Sequence, residues 1–180
     1  MLEIEIPEGE FFNESTNEFI TTKGVVLRLE HSLVSLSKWE SKWKIPFLSD
    51  KPKTVEQTID YIRCMTMNQN VDPLVYKLIT NEHVDKINEY IADNKSATTF
   101  NDHQTPKRSR EIVTSELVYF WMAQFNIPME CQKWHFSRLL ALIRIASIKN
   151  SPEKKMSKRA ILSQNRSLNA ARRKMHNTRG

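Results

Sequence analysis

The chain has 180 residues and a formal charge of +6, from 27 lysines and arginines and 21 aspartates and glutamates. Hydrophobic residues make up 39% of it, which is enough for a globular domain with a sizeable core. Three glycines are too few for a phosphate-binding loop or a dinucleotide fingerprint, so the composition excludes P-loop NTPases, kinases and Rossmann enzymes. No apolar run approaches the roughly 18 residues of a membrane span, and we predict no membrane association.

The charge is divided unevenly along the chain. Residues 151–180 carry nine basic residues and one acidic residue, a net of +8, whereas residues 1–150 carry 18 basic and 20 acidic residues, a net of −2. We therefore predict a single mainly helical domain over residues 1–150 and a basic C-terminal helix or tail over residues 151–180. Uniform wrapping by a nucleic acid is disfavoured because the body is nearly neutral.

The N-terminal residues predict a small antiparallel sheet. Leu2, Ile4 and Ile6 alternate with glutamates, which is the period of a strand with one acidic face. Residues 19–29 alternate in a similar way, and Lys23-Gly24 supplies a turn or a bulge. The expected hairpin region spans residues 2–30, and a sheet this small must pack on helices.

Polar capping residues mark four helix starts in the first half of the chain. These N-caps are Ser32, Thr54, Asp72 and Thr80. Gln57 completes a capping-box pattern with Thr54, and Pro73 follows Asp72 at the first helical position. The first helix should end at Ile45-Pro46, because the residue before a proline avoids the α region.

The second half contains a loop and a predicted helical hairpin. Residues 93–109 are polar without a period and form the longest internal loop. Residues 110–126 are apolar nearly all round, which is typical of a helix that is buried centrally or pressed on a partner. A second long helix is predicted over about residues 129–149. The two helices should pair as an αα-hairpin and form the main core.

The basic tail has a helical pattern of its own. Ser157 can cap a helix over about residues 158–175, in which Ile161, Leu168 and Met175 follow one another at intervals of seven. The stripe is thin and the opposite face is cationic, so the helix should be marginal alone and firm on a partner. The predicted fold class is therefore mainly α (α+β), a small N-terminal antiparallel sheet packed on a helical bundle.

A metal or nucleophile site is a weak interpretation of the cysteines and histidines. On one helix, Cys131 and His135 would lie on the same face, and Cys64 could add a third ligand. Structural zinc normally takes four ligands, and a Cys-His nucleophile needs an orienting group that nothing marks. Packing of Cys131 as a small hydrophobe is favoured instead. We predict no catalytic residue, no metal and no cofactor, and hence no enzyme.

Aromatic and basic residues supply candidate partner-binding positions. Trp39 and Trp43 lie one turn apart beside lysines and are expected at the surface, where docking of a protein is favoured over stacking of bases. Trp121 lies in a run apolar enough for the core. The full set of candidates is Trp39, Trp43, Trp121, Phe125, Ile161, Leu168, Arg172, Arg173 and Lys174.

Several blocks of the sequence resemble small proteins of tailed phages and prophages. The longest block covers residues 29–43, and others cover residues 70–73, 110–116, 127–135, 155–159 and 169–174. Together they extend over nearly the whole chain. On these blocks the chain resembles the tail assembly chaperones of long-tailed phages, although the blocks contain no catalytic motif.

The resemblance implies a non-enzymatic role in the host cell cytoplasm. Chaperones of this family coat the tape measure protein, recruit tail tube subunits and leave before the virion is complete. Their bodies are typically helical, and some are made in two lengths by frameshifting. This chain departs from the longer form, because it has a basic tail where a second module is expected. A homo-oligomer is a further expectation.

Two alternatives stay open beside the chaperone. The first is a structural component of the phage particle, such as a connector or tail completion protein. The second is a nucleic-acid-binding accessory protein that acts through the basic tail, since clustered lysines and arginines bind phosphates by releasing counterions. The nucleic acid ranks behind a protein partner, because Ile161, Leu168 and Met175 add an apolar stripe to the charge.

Overall fold

The computed structural model describes residues 1–13, 17–100, 112–151 and 158–177. Its elements confirm the predicted class, mainly α with a small antiparallel β part. The chain forms two compact units, Met1–Ser147 and Ile148–Gly180. The strands are β1 (Leu2–Ile6), β2 (Gly9–Asn13), β3 (Glu18–Thr22) and β4 (Val25–Leu29), and the α-helices are α1 (Leu33–Trp43), α2 (Val55–Met65), α3 (Asn81–Ala92), α4 (Ser115–Gln124), α5 (Phe136–Asn150) and α6 (Lys158–His176).

The four strands share one antiparallel register, although they form two separate ladders. β1 pairs with β4, ending with Ile6 opposite Val25, and β2 pairs with β3, beginning with Gly9 opposite Thr22. The ladders are interrupted at Pro7-Glu8 and, at the same level, at the predicted turn or bulge Lys23-Gly24. Proline has no N–H to donate to a ladder, which accounts for the break on the first strand. The antiparallel prediction is confirmed, but β2 was not foreseen because its residues do not alternate.

The inward face of the hairpin changes at this break. Within β1 and β4 the inward residues belong to the core, and beyond the break the inward pair is Gly9 and Thr22. A Cβ atom on Gly9 would lie 2.6 Å from Leu78 Cδ2, so glycine permits this close approach. Phe12 and Phe19 are exposed, with ring centroids 5.1 Å apart.

The predicted caps of the first half are confirmed. The side chains of Ser32, Thr54 and Thr80 each accept the backbone N–H three residues on, in capping boxes that begin α1, α2 and α3. Asp72 caps a 3₁₀ helix, Pro73–Leu78, where a short helix was expected. α1 ends at Trp43, just before the predicted stop at Ile45-Pro46, because Lys44 adopts a left-handed conformation.

The core of the first unit centres on α1, which packs on α2 and α4. Its most deeply buried large side chains are Trp39, Leu27, Leu29, Leu33, Leu36, Ile62, Met65, Met122, Leu139 and Val118. The two helices that were expected to form the main core each contribute one face to it. α4 buries Val118 and Met122, whereas Phe120 on the same helix is 60% exposed.

The prediction of a single helix over residues 129–149 is wrong. A 3₁₀ helix, Met129–Lys133, is followed by an extended link, and α5 begins only at Phe136. The link is held by an antiparallel bridge between Ser32 and His135 and by the Phe136 N–H, which donates to the His31 carbonyl at 2.7 Å. The segment around His135 is therefore extended, because it pairs like a strand with the segment before α1, although its sequence has a continuous helical pattern.

The second unit contains α6, whose bounds agree with the predicted helix over residues 158–175. The predicted cap, Ser157, lies outside the described residues. So do residues 101–109 of the predicted internal loop, whereas residues 93–100 are irregular as expected.

Candidate functional site

Trp39 is a core residue, which corrects the expectation that it lies at the surface. Its side chain is 1% exposed, and its indole N–H donates to the Gln57 carbonyl of α2 at 2.9 Å. The ring also meets Phe47 edge to face, with centroids 5.2 Å apart. A residue used in this way to join α1 to α2 has no surface to offer a partner.

Trp43 is half-buried and serves the same contact between helices. Its indole N–H donates to Asp60 Oδ2 at 2.9 Å, and Lys42 forms an ion pair with the other oxygen of this carboxylate. Asp60 is buried, so these two donors compensate its lost hydration. The tryptophan pair of the sequence is thus explained by the packing of α1 on α2.

Trp121 and Phe125 are half-buried and line an open groove between α4 and α5. The groove has a volume of about 520 Å³ and lies within the first unit. Its lining residues are Trp121, Gln124, Phe125, Leu140, Ile143, Arg144 and Ser147. Two aromatic rings one turn apart, facing aliphatic side chains of a second helix, form a surface that suits an apolar segment.

Arg144, one of the residues that line the groove, also makes an aromatic contact. The guanidinium carbon of Arg144 lies 4.1 Å from the centre of the Phe100 ring, within the range of a cation–π interaction. Phe100 belongs to the irregular segment after α3, so this contact ties that segment to α5. The sequence analysis included Trp121 and Phe125 among the candidate partner-binding residues. It missed the groove residues on α5, because only the tertiary fold brings the faces of α4 and α5 together.

Glu40 holds the start of α4 in place, a role that we did not predict. Its buried carboxylate accepts the Phe47 N–H at 2.7 Å through Oε1 and the Ser115 N–H at 2.8 Å through Oε2. Ser115 is the first residue of α4, where a negative charge interacts favourably with the helix dipole. The signal in the sequence was a glutamate on the apolar face of α1.

A buried polar cluster lies where α1, α2 and α5 meet. His31 Nδ1 and the Tyr61 hydroxyl are hydrogen-bonded at 2.6 Å, and the His31 and His135 rings lie 5.3 Å apart. Burial lowers the pKa of His31 to about 4, and the neighbouring His135 adds to the effect. Burial also lowers the pKa of His135 and raises that of Tyr61. Both imidazoles are therefore neutral at pH 7.

In the neutral His135 ring only one of the two nitrogens carries a proton, and the hydrogen-bond partners identify which one. Its Nε2 lies 3.1 Å from the Tyr90 carbonyl oxygen, which can only accept, so the proton is on Nε2. Nδ1 then accepts from the Ser137 hydroxyl at 2.8 Å. Both ring nitrogens are used in joining α3 to the start of α5, which is a structural arrangement.

The weak metal interpretation loses its geometric basis in this fold. Cys131 is buried in the 3₁₀ helix and His135 lies in the extended link, so the two do not share one helical face. Burial raises the pKa of the half-buried Cys64 thiol, which disfavours the reactive thiolate. In the part of the chain that the structure describes, no three histidine, cysteine, aspartate or glutamate residues are grouped as metal ligands.

The candidates in the second unit lie on α6 and are exposed. Ile161 is 44% exposed, Leu168 50% and Met175 77%. Arg172, Arg173 and Lys174 are exposed as well. Within this unit the helix therefore presents both an apolar stripe and a cluster of cations to the solvent.

Comparisons of the whole chain with family models, with curated proteins and with solved structures return no match. Within the described ranges, every helix is too short or too polar to cross a lipid bilayer.

Proposed function

We propose that this protein is a non-enzymatic tail assembly chaperone of a long-tailed phage, which binds apolar helical segments of the tape measure protein and helps to recruit tail tube subunits. The observation that carries the proposal is the groove between α4 and α5, where Trp121 and Phe125 are left partly open. The resemblance of the sequence blocks to such chaperones, described above, supports the same role.

The groove has the properties that reversible binding of a helix requires. It is open and lined mainly by apolar groups, together with the exposed polar side chains of Gln124, Arg144 and Ser147. An apolar centre with a polar rim gives specificity without the large buried area of a permanent interface. A chaperone that releases its client before the particle is complete needs an interface of this kind.

Co-purification with the tape measure protein tests the proposal. Trp121→Ala and Phe125→Ala should each reduce the amount of tape measure protein recovered by about tenfold, because each removes a central aromatic anchor. Phe120→Ala is the matched control, since Phe120 lies on α4 outside the groove and is exposed. Equal recovery with all three variants, each shown to be folded by circular dichroism, would contradict the role of the groove.

Purified phage particles distinguish the chaperone from a structural component. The chaperone should be absent from mature particles, whereas a connector or tail completion protein stays in them. Mass spectrometry that finds the protein at a fixed copy number per particle would exclude the chaperone role in favour of the structural one.

A second candidate function, nucleic-acid binding, is favoured by the basic residues exposed on α6. It predicts an affinity for DNA or RNA that falls steeply with salt, because each phosphate contact releases counterions. Removal of residues 151–180 should abolish that affinity. Weak binding that is unchanged by the truncation would argue against this function.

A further inference from the structure

A stripe of apolar residues runs along one face of α6. Ile161, Leu168 and Met175 are spaced by seven residues, which places them on one stripe about 10 Å apart along the axis. Gln164 and Ala171 lie between them at the intervening positions of a heptad, so the five residues form one continuous seam. We refer to these five residues as the α6 seam.

A second series of seven-residue spacings runs along the other side of the helix. Arg159, Arg166 and Arg173 lie about 160° to 180° from the seam. Arg172 and Lys174, by contrast, flank the seam on its two sides, at the positions that contact a partner helix in a coiled coil. All five side chains are exposed. The flanking pair and the outer series can therefore be tested separately.

The charge of α6 argues against pairing with a second copy. Residues 158–176 contain six lysines and arginines and no acidic residue. Two such helices side by side would bring together two sets of six cations with no carboxylate on either helix to compensate them, which is destabilising. The acidic surface of the hairpin is a poor match as well, because Glu3 and Glu5 are exposed while Ile4 and Ile6 are buried in the core. Beside these glutamates the β1–β4 ladder exposes Val26, so this ladder offers one apolar side chain and not a stripe of them.

We infer that α6 is a docking helix for an acidic amphipathic helix of another protein, one with apolar residues at the seam and glutamates or aspartates beside it. Such a partner would cover Ile161, Leu168 and Met175 and place carboxylates next to Arg172 and Lys174. A nucleic acid would satisfy the cations but would leave the apolar stripe in water. The occupant that uses both features is an acidic helix.

The experiment measures binding of labelled peptides to the full-length chain by fluorescence anisotropy. The probe is a peptide of about three heptads with leucine in the seam and glutamate on both flanks. A second peptide replaces the glutamates with lysines, and a third keeps the glutamates but replaces the leucines with serines. The first should bind, and the other two should bind about tenfold more weakly or not at all. Equal binding of either control peptide would overturn the inference.

Variants of the chain identify the face that is used. Leu168→Ala should weaken binding of the glutamate peptide about tenfold, since it removes the central contact of the seam. Arg172→Gln should weaken it about threefold, and Arg166→Gln, the same change on the outer face, should leave it unchanged. All three substitutions suit a helix, and circular dichroism checks that α6 persists.

Other occupants would be recognised by distinct outcomes. A duplex DNA that displaces the peptide, with Arg166→Gln as harmful as Arg172→Gln, would assign α6 to nucleic acid and overturn the inference. If sedimentation velocity shows a dimer and Leu168→Ala converts it to a monomer, the seam binds a second copy of the chain, and the inference is overturned as well. The inference extends the proposed function with a second partner. Peptide binding that is lost in Leu168→Ala or on removal of residues 151–180 is assigned to α6, whereas co-purification with the tape measure protein tests the groove, so that either can fail without the other.

Discussion

At the scale of single residues, His31 and His135 make the stability of the first unit depend on pH. The pKa of His31 is about 4 in the folded protein against 6.5 in an ordinary environment, because burial disfavours the charged ring. The unfolded chain therefore binds a proton between these two pH values that the folded chain does not bind. Stability is fully present above pH 6.5 and is lost as the pH falls towards 4.

We predict that His31 alone contributes a loss of about 3 kcal/mol in the free energy of unfolding over this pH range. His31→Asn should remove that part of the pH dependence, although it lowers stability at pH 7. His176→Asn, at an exposed position of the second unit, is the control. Urea titrations at a series of pH values provide the measurement, and an unchanged slope in His31→Asn would contradict the assignment.

Glu40 is the second residue whose environment leads to a prediction. Glu40→Gln should lower the free energy of unfolding by about 2 kcal/mol, because the amide nitrogen cannot accept from Phe47 or Ser115 and leaves one buried N–H unpaired. Glu89→Gln on the exposed surface of α3 makes the same change without such contacts and should have little effect. If chemical denaturation gives the two variants equal stability, the role of Glu40 in positioning α4 is refuted.

At the scale of elements, the side chain of Asn68 makes the hydrogen bonds to β4 that a neighbouring strand would otherwise make. Asn68 Oδ1 accepts the Arg28 N–H at 2.7 Å, and its Nδ2 donates to the Val26 carbonyl at 3.0 Å. The neighbouring Met67 N–H donates to the Arg28 carbonyl, so residues 66–68 continue the sheet beyond β4. An open strand edge is thereby closed without a further strand.

Asn68→Ala should lower the free energy of unfolding by about 1 kcal/mol, since both of these hydrogen bonds are lost. The change should also speed hydrogen exchange at the Arg28 amide more than at other amides of β4. Gln69→Ala, at the next and exposed position, serves as the control. Slow exchange at Arg28 in the variant would show that Asn68 does not protect this edge.

At the scale of the whole molecule, the core and the excess charge lie in different parts of the chain. The buried apolar side chains of the described residues extend from Ile4 to Ile143. The excess positive charge lies after residue 150. A chain that ends at residue 151 should therefore keep the whole core and change its net charge from +6 to about −2.

We expect this truncated chain to unfold cooperatively, with a free energy within about 0.5 kcal/mol of the full-length value. The measurement is urea denaturation followed by tryptophan fluorescence, which reports on the body because all four tryptophans lie within residues 39–134. Binding of the glutamate peptide should be absent in the same sample. A large loss of stability would show that the body needs residues after 151.

Much of the fold could be predicted wherever the signal is local. Ser32, Thr54 and Thr80 satisfy N–H groups three residues away, so their caps follow from short sequence patterns. The seven-residue spacing of Ile161, Leu168 and Met175 likewise predicted α6 to within one residue at its C-terminal end. The charge division between the body and the tail is a property of composition alone.

The remaining features depend on contacts between distant residues, and only the tertiary structure decides them. The sequence alone placed Trp39 at the surface because lysines surround it, yet α2 covers its ring and accepts its N–H. The apolar run that continues past Trp134 predicted one long helix, but the bridge from Ser32 to His135 breaks it. The candidate groove arises only where α4 meets α5. Local patterns thus determined the capped helices and α6, whereas the break before α5 and the faces that the helices bury follow from which partners the fold brings together.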